Sequence, residues 1–217
     1  MGKEAKSQVK ECIIISGSPE WDVPLNMKYE NYYIYAADGG AELALKHGIK
    51  IDMAVGDFDT YKGRIPNDVE IKKFPSEKDN SDTLECLIDA KNKGFNKAII
   101  INALGGARID HSIANIQILE WASVNGIDAH IEGKNSEVYF QSEKLRLYPK
   151  KKFKYLSVFA YSEKCTGVCI CGTKYEIENT QLNRFYPIGL SNEITEEYAE
   201  IKLESGKLLI IYSNDRV

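Results

Sequence analysis

No apolar run in these 217 residues approaches the roughly 18–20 residues a bilayer-spanning helix requires. The first six residues, Met-Gly-Lys-Glu-Ala-Lys, are too polar for a secretory signal, and Lys6 stands where a myristoylation motif needs Ser or Thr. The expectation is a cytoplasmic protein with no membrane partner. Basic excess is also lacking: Lys and Arg number 28 against 32 Asp and Glu, a net charge of −4, and no basic run exceeds Lys150–Lys152. A nucleic-acid binder carries a basic stripe, so nucleic acid is not expected as a partner. Five cysteines leave one over in any full disulfide scheme, and Cys165, Cys169 and Cys171 lack a second cluster at metal-ligand spacing. Reduced, mostly buried thiols are expected. Neither G-x-x-x-x-G-K-[ST] nor G-x-G-x-x-G occurs, so the two common phosphate-loop motifs give no support to nucleotide binding.

What is present divides the chain by period. Short apolar runs at Cys12–Ser16, Tyr32–Ala37, Met53–Val55, Val69–Phe74 and Lys97–Asn102 end in Gly, Asp or Pro clusters and read as buried strands. Between them Ala41–His47, Ser81–Lys93 and Asp110–Val124 read as helices. Ser81 is placed to cap the second and Gly94 to stop it. For the third, Ile113, Ile116, Leu119 and Trp121 offer the packing face. Strands alternating with helices predict an α/β domain with a mostly parallel sheet over residues 1–127.

Beyond it the spacing shortens to period two, with strand candidates at Val138–Phe140, Leu145–Tyr148, Tyr155–Tyr161, Gly167–Cys171, Ala199–Leu203 and Leu208–Tyr212. Strands without intervening helices predict an all-β, antiparallel, sandwich-like domain over 128–217. No Gly/Ser linker separates the two.

Carboxylates gather at the predicted strand ends: Asp38 in ADGG, Asp57 and Asp59 in GDFD, Asp79 and Asp82 in KDNSD, and Asp110 in RIDH. Taken singly, each is an ordinary turn residue. Taken together, they sit where loops converge at the carboxyl end of a parallel sheet, and clustered carboxylates repel unless a cation neutralises them. Oxygen donors without Cys or His partners favour Mg²⁺. Gly39, Gly40, Gly105 and Gly106 permit close backbone approach to phosphate, and Lys78 and Arg108 supply positive charge.

These blocks, ADGG, GDFDT at 56–60, KDNSD at 78–82 and RIDHSIAN at 108–115, followed by GTKYEIEN at 172–179 and GLSNEIT at 189–195, resemble the thiamine pyrophosphokinase family, bacterial type. The resemblance runs in order from about residue 12 to 212. It implies a nucleotide-binding α/β domain followed by a thiamine-binding β-sandwich. The implied reaction is Mg²⁺-dependent transfer of a diphosphoryl group from ATP to the hydroxyl of thiamine, giving thiamine diphosphate and AMP. By this resemblance Asp57, Asp59 and Asp82 hold the metal and, with Arg108, carry the catalysis. Asp38, Gly39, Gly40, Lys78, Asp79, Arg108, Asp110, His111 and Asn115 form the ATP site, and Ser191 and Asn192 meet thiamine. The family's homodimers share active sites between subunits, so a homodimer is implied as well.

Three positions depart from the family pattern. Ser81 replaces the usual Thr and Thr60 a frequent Ser, both keeping a hydroxyl, while Ala107 stands where a glycine often precedes the arginine. His47 and His130 lie outside every block and read as surface or structural residues. Two competing readings remain open at this point: diphosphoryl transfer to another hydroxymethyl heterocycle such as a pterin, and a non-catalytic nucleotide sensor.

Overall fold

The computed structural model describes residues 10–58, 65–75 and 79–215, which divide into two compact units, Met1–Glu132 and Gly133–Val217. In the first, six strands form a parallel sheet: β1 (Glu11–Ile15), β2 (Tyr33–Ala37), β3 (Met53–Gly56), β4 (Glu70–Lys73), β5 (Lys97–Ile101) and β6 (Asp128–Glu132), ordered β4-β3-β2-β1-β5-β6. Helices α1 (Gly39–Lys46), α2 (Asp82–Asn92) and α3 (Ile109–Val124) follow β2, β4 and β5. The inner strands are apolar at successive positions because both of their faces are covered. Ile13, Ile15, Ile34, Ala36 and Ala54 share a cluster with Ala41 and Ala44 of α1. The alternate residues Tyr33, Tyr35 and Met53 meet α2 and its C-cap Lys93 on the opposite face. The chain winds outward from β1 to β4, then returns to β5 on the other flank of β1. That reversal creates a switch point between β1 and β5, where ligands of open parallel sheets bind.

As expected, Ser81 caps α2, its Oγ accepting from Leu84 N at 3.3 Å, and the chain leaves the helix through Gly94 at φ 80°. A polar knot secures α2 to the sheet. The Asp89 carboxylate, 13% exposed, accepts hydrogen bonds from Tyr35 Oη (3.0 Å) and from Nζ of Lys72 and Lys93 (3.2 Å each). Burial opposes its charge, but the hydrogen bonds from Lys72, Lys93 and Tyr35 outweigh burial and hold its pKa below the ordinary carboxylate value. A depressed folded-state pKa stabilises the fold above the unfolded value, near 3.9, and that stability is lost as pH falls through the folded value. Asp89→Asn is therefore expected to cost about 2 kcal/mol at neutral pH. Urea unfolding at pH 7 and pH 3 checks this: the gap between variant and wild type should narrow at the lower pH, and a constant gap would contradict the assignment.

The α3 face differs from the expected one. Leu119 is buried, but Ile113 is 52% exposed and Ile116 and Trp121 are half-buried; the inward residues are Ser112, Asn115, Ile118, Leu119 and Ala122. The reason is polar. Ser112 Oγ accepts from Gly105 N at 3.1 Å and Asn115 Nδ2 donates to Ala103 O at 2.8 Å, so the first turns of α3 face a loop whose backbone groups need partners. The histidines outside the motif blocks have structural contacts: His47 stacks on Trp21 at 4.1 Å and His130 Nε2 lies 2.8 Å from Glu132 Oε1.

Among its described residues the second unit holds strands and no helix. Strands β7 (Ser136–Gln141), β13 (Leu208–Ser213) and β9 (Tyr155–Ala160) pair antiparallel in that order, and so do β11 (Ile177–Asn183), β10 (Lys164–Cys171), β12 (Tyr198–Lys202) and β8 (Leu145–Pro149). Alternate residues of both sets, including Leu156, Val158, Val168, Ile170, Ile201, Leu208 and Ile210, fill one core, as in a sandwich. Tyr139, Tyr148 and Tyr212 meet edge-on or tilted within it, and Tyr148 Oη donates to the buried Gln141 Oε1 at 3.1 Å. The expected fold class, a parallel α/β unit followed by an antiparallel one, is the one observed. Strands β6 and β11 were not expected. All five cysteines are free thiols and most are buried, as expected: Cys12, Cys86 and Cys165 are buried, Cys169 is half-buried and Cys171 is exposed. Among the described residues no helix is long and apolar enough to cross a membrane.

Candidate functional site

At the carboxyl ends of the first unit's strands lies a cavity of about 280 Å³ lined by Ser16, Gly17, Ala37, Asp38, Ser81, Asp82, Thr83, Asp110, His111, Ala114 and Asn115. Asp38, Asp82, Asp110, His111 and Asn115 thus converge from three separate blocks of sequence. Each block is delivered by a different junction: Asp38 between β2 and α1, Asp82 at the first residue of α2, and Asp110, His111 and Asn115 on the first two turns of α3.

Asp38 is held in an unusual backbone conformation, φ 43° and ψ −115°, which glycine adopts freely and a residue with a Cβ does not. Its N–H donates to Val55 O at 2.8 Å, tying the end of β2 to β3. Gly56, the first residue of GDFD, makes this possible: a Cβ there would lie 3.1 Å from Asp38 Cα and 3.2 Å from Asp38 Cβ. The glycine of that block thus serves the aspartate of the previous one. Gly39 and Gly40 form the first turn of α1 and do not line the cavity among the described residues. Gly40 is needed for packing, since a Cβ would fall 2.4 Å from Ile15 O, whereas Gly39 has open space.

Arg108 and Asp110 form a bidentate pair at the rim, with Nε–Oδ1 at 2.9 Å and Nη2–Oδ2 at 2.7 Å, and both side chains are 62% exposed. The hydrogen bonds from Arg108 lower the Asp110 pKa to about 2. The arginine is therefore already engaged by a carboxylate that lines the cavity. Asp57 follows β3 directly and is half-buried, and Asp79 is exposed two residues before the cap of α2; neither is part of the described cavity lining. Asp59 and Lys78 lie outside the described residues. Among those described, no three His, Cys, Asp or Glu side chains are grouped closely enough to hold a metal ion.

Among the residues that sequence reasoning did not assign to this site are two polar lining residues and one that holds the loop beneath them. Ser16 and Thr83 line the cavity, and Asn102, fully buried at φ 54°, donates from Nδ2 to Ser16 O (2.9 Å) and Ser18 O (2.8 Å) while its Oδ1 accepts from Asp22 N (2.9 Å). The available signal was positional, since Ser16 and Asn102 each follow a central parallel strand directly.

In the second unit the two late blocks meet. Asn192, 6% exposed, donates from Nδ2 to Thr173 Oγ1 (3.0 Å) and Tyr175 O (2.8 Å), and its Oδ1 accepts from Tyr175 N (3.0 Å) and Glu193 N (2.9 Å). The side chain is thus committed to joining GTKYEIEN to GLSNEIT. Ser191 beside it is exposed at φ 58°, its N–H held by Ser157 Oγ at 3.0 Å. The neighbouring Tyr175 ring is 61% exposed.

Comparison with known proteins follows the same division. A family model described as "Thiamin pyrophosphokinase, catalytic domain" matches residues 26–131, and one described as "Thiamin pyrophosphokinase, vitamin B1 binding domain" matches residues 142–208. A Bacillus subtilis (strain 168) protein named thiamine pyrophosphokinase is 25% identical over 215 residues, covering 95% of this chain and 100% of its own length. The crystal structure of thiamine pyrophosphokinase from Bacillus subtilis superposes with a TM-score of 0.85 at 24% identity, covering 95% of this chain and 100% of that one. That of the Geobacillus thermodenitrificans protein gives 0.82 at 22%, covering 94% and 98%. The Candida albicans structure gives 0.74 at 16%, covering 95% and 90%. At these identities the structural likeness shows the fold.

Proposed function

The chain belongs to the thiamin pyrophosphokinase family, and from that premise we propose that it transfers a diphosphoryl group from ATP to the hydroxyethyl oxygen of thiamine, releasing AMP. The observation that carries this reading is the convergence of Asp38, Asp82, Asp110, His111 and Asn115 on one cavity at the switch point of a parallel sheet. A polyphosphate is a strong anion, and a carboxylate-lined cavity accepts it only with a cation between them. The donor set, carboxylate oxygens without cysteine, suits Mg²⁺, which Asp57, Asp59 and Asp82 would hold. When bound, the metal supplies charge neutralisation on the phosphates.

The chain's own residues do the rest. Arg108 binds phosphate by exchanging the two Asp110 carboxylate oxygens for two oxygens of one phosphate group, a bidentate partner of similar geometry. His111 and Asn115 shape the nucleotide pocket from α3, while Lys78 supplies positive charge to the phosphates and Asp79 a supporting carboxylate. Catalysis then rests on alignment of the alcohol with the β-phosphorus and on stabilisation of charge during displacement. In the second unit, the Ser191 hydroxyl and the exposed Tyr175 ring suit an aminopyrimidine edge and a thiazolium cation. Asn192 supports them from beneath, because its amide is already spent on the loops that present them.

The test is product analysis after incubation with ATP and Mg²⁺ and either thiamine or a hydroxymethylpterin. Equimolar AMP and thiamine diphosphate, with no pterin product, is expected. Transfer to the pterin alone would replace thiamine as substrate, and nucleotide binding without transfer would leave a sensor. The same reading makes the protein a homodimer, which sedimentation velocity tests directly: a monomer at micromolar concentration would remove that part.

A further inference from the structure

The floor of the cavity is a hydrogen-bonded junction of three elements. Ser16 is pinned through its backbone, its N–H donating to Ile101 O at 2.9 Å and its carbonyl accepting from Asn102 Nδ2 at 2.9 Å. Its Oγ lies 3.0 Å from Thr83 Oγ1 and accepts from Asn115 Nδ2 at 3.3 Å. The other Asn115 N–H goes to Ala103 O. All three residues are 5% exposed. One serine hydroxyl therefore joins the end of β1 to α2 and α3.

The placement matters for chemistry because Thr83 follows Asp82 directly in the first turn of α2, and both line the cavity. The Ser81 cap fixes the helix's own first turn but not the position of that turn against the sheet. The Ser16–Thr83 bond spans 67 residues and does so. We infer that Ser16 and Thr83 are positioning residues for the transfer reaction: their hydroxyl–hydroxyl bond sets where α2 begins relative to β1, and so where the Asp82 carboxylate stands. The inference rests on the proposed function in taking Asp82 as a phosphate–metal group. Valine at 83 removes the hydroxyl at nearly constant volume, leaving Ser16 Oγ without its α2 partner; serine keeps the bond.

The test compares wild type, Thr83→Val, Thr83→Ser and Ser16→Ala as full-length proteins. Each is assayed for steady-state kinetics, for the Mg²⁺ concentration giving half-maximal rate, for Mg–ATP binding by calorimetry without thiamine, and for thermal midpoint. Thr83→Val and Ser16→Ala are expected to lose about tenfold or more in kcat, as misplacement of a reacting group by a fraction of an ångström does. They should also need more Mg²⁺ and bind Mg–ATP more weakly, with KM for thiamine within about twofold, whereas Thr83→Ser stays within about threefold of wild type in every parameter. A purely structural role would lower the thermal midpoint without moving the Mg²⁺ requirement. Thr83→Val matching wild type in kcat and Mg²⁺ requirement overturns the inference, as does an equal loss in Thr83→Ser. Should Ser16→Ala not fold, the Thr83 pair decides. If wild type binds Mg–ATP but makes no thiamine diphosphate, the proposed function fails while calorimetry still decides the positioning role: unchanged binding by Thr83→Val overturns it. Wild type that binds no Mg–ATP overturns both.

Discussion

Asp82→Asn is expected to lower turnover by about 10²–10³-fold while leaving the fold intact, the scale seen when one charge-stabilising group is removed from an active site. The substitution preserves shape and removes charge. Asp82 stands at the first residue of α2, where the cap is made by Ser81 and the bond to the sheet by Thr83, so neither structural contact depends on the carboxylate. Its charge does favour the helix N-terminus, but that contribution is only about 0.3–1 kcal/mol. Circular dichroism and thermal midpoint should therefore remain close to wild type while kcat falls. Activity within threefold of wild type would remove Asp82 from the metal–phosphate assignment, and a collapsed fold would make it a structural residue instead.

The second large effect has opposite signs in two measurements. Asp38→Gly is expected to lower kcat by about 10²-fold and, at the same time, to raise the thermal midpoint by about 2–4 °C. At φ 43° and ψ −115° a Cβ-bearing residue carries backbone strain of order 1–3 kcal/mol. Glycine relieves it, offset by roughly 0.5–1 kcal/mol for the extra freedom of the unfolded chain. The remainder favours the variant by about 1 kcal/mol. A residue kept at a position where glycine folds better is retained for its side chain, and here that side chain lines the cavity. Loss of both stability and activity would mean that Asp38 holds the β2–α1 junction; unchanged activity would mean that it has no part in the reaction.

The sequence revealed the division into parallel and antiparallel halves because the two period types are physically distinct: doubly covered strands such as Cys12–Ile15 are apolar throughout, whereas Ala199–Lys202 alternates apolar Ala199 and Ile201 with charged Glu200 and Lys202. It also located α2, whose ends carry chemical signals in Ser81 and Gly94. Strand β11 escaped because Ile-Glu-Asn-Thr-Gln-Leu-Asn is a polar strand at the edge of its sheet, beside β10, with Leu182 as its one buried residue. Strand β6, Asp-Ala-His-Ile-Glu, carries its two buried residues between polar ones and offers no apolar run. The α3 face was misread for a different reason. Hydrophobic periodicity counts apolar residues, but Ser112 and Asn115 face inward to satisfy a loop, a demand that exists only once the chain has folded.

The candidate site was legible to the same degree. Motif blocks named the carboxylates, and five of the named residues line one cavity. Ser16, Thr83 and Asn102 were invisible because their function is to bond one another across 67 and 86 residues of chain. Gly40 shows the converse. It belongs to a motif block, yet its lack of a Cβ lets α1 pack against the Ile15 carbonyl and has no need of a ligand to explain it.

The position of phosphorus transfer is the most direct test of the whole account. Wild-type protein is incubated with thiamine, Mg²⁺ and ATP labelled at the β-phosphorus, and the products are separated. Attack at the β-phosphorus sends the label into thiamine diphosphate and leaves the AMP unlabelled, which is the predicted result. Label retained in ADP, with thiamine monophosphate as the other product, would show attack at the γ-phosphorus and contradict the account.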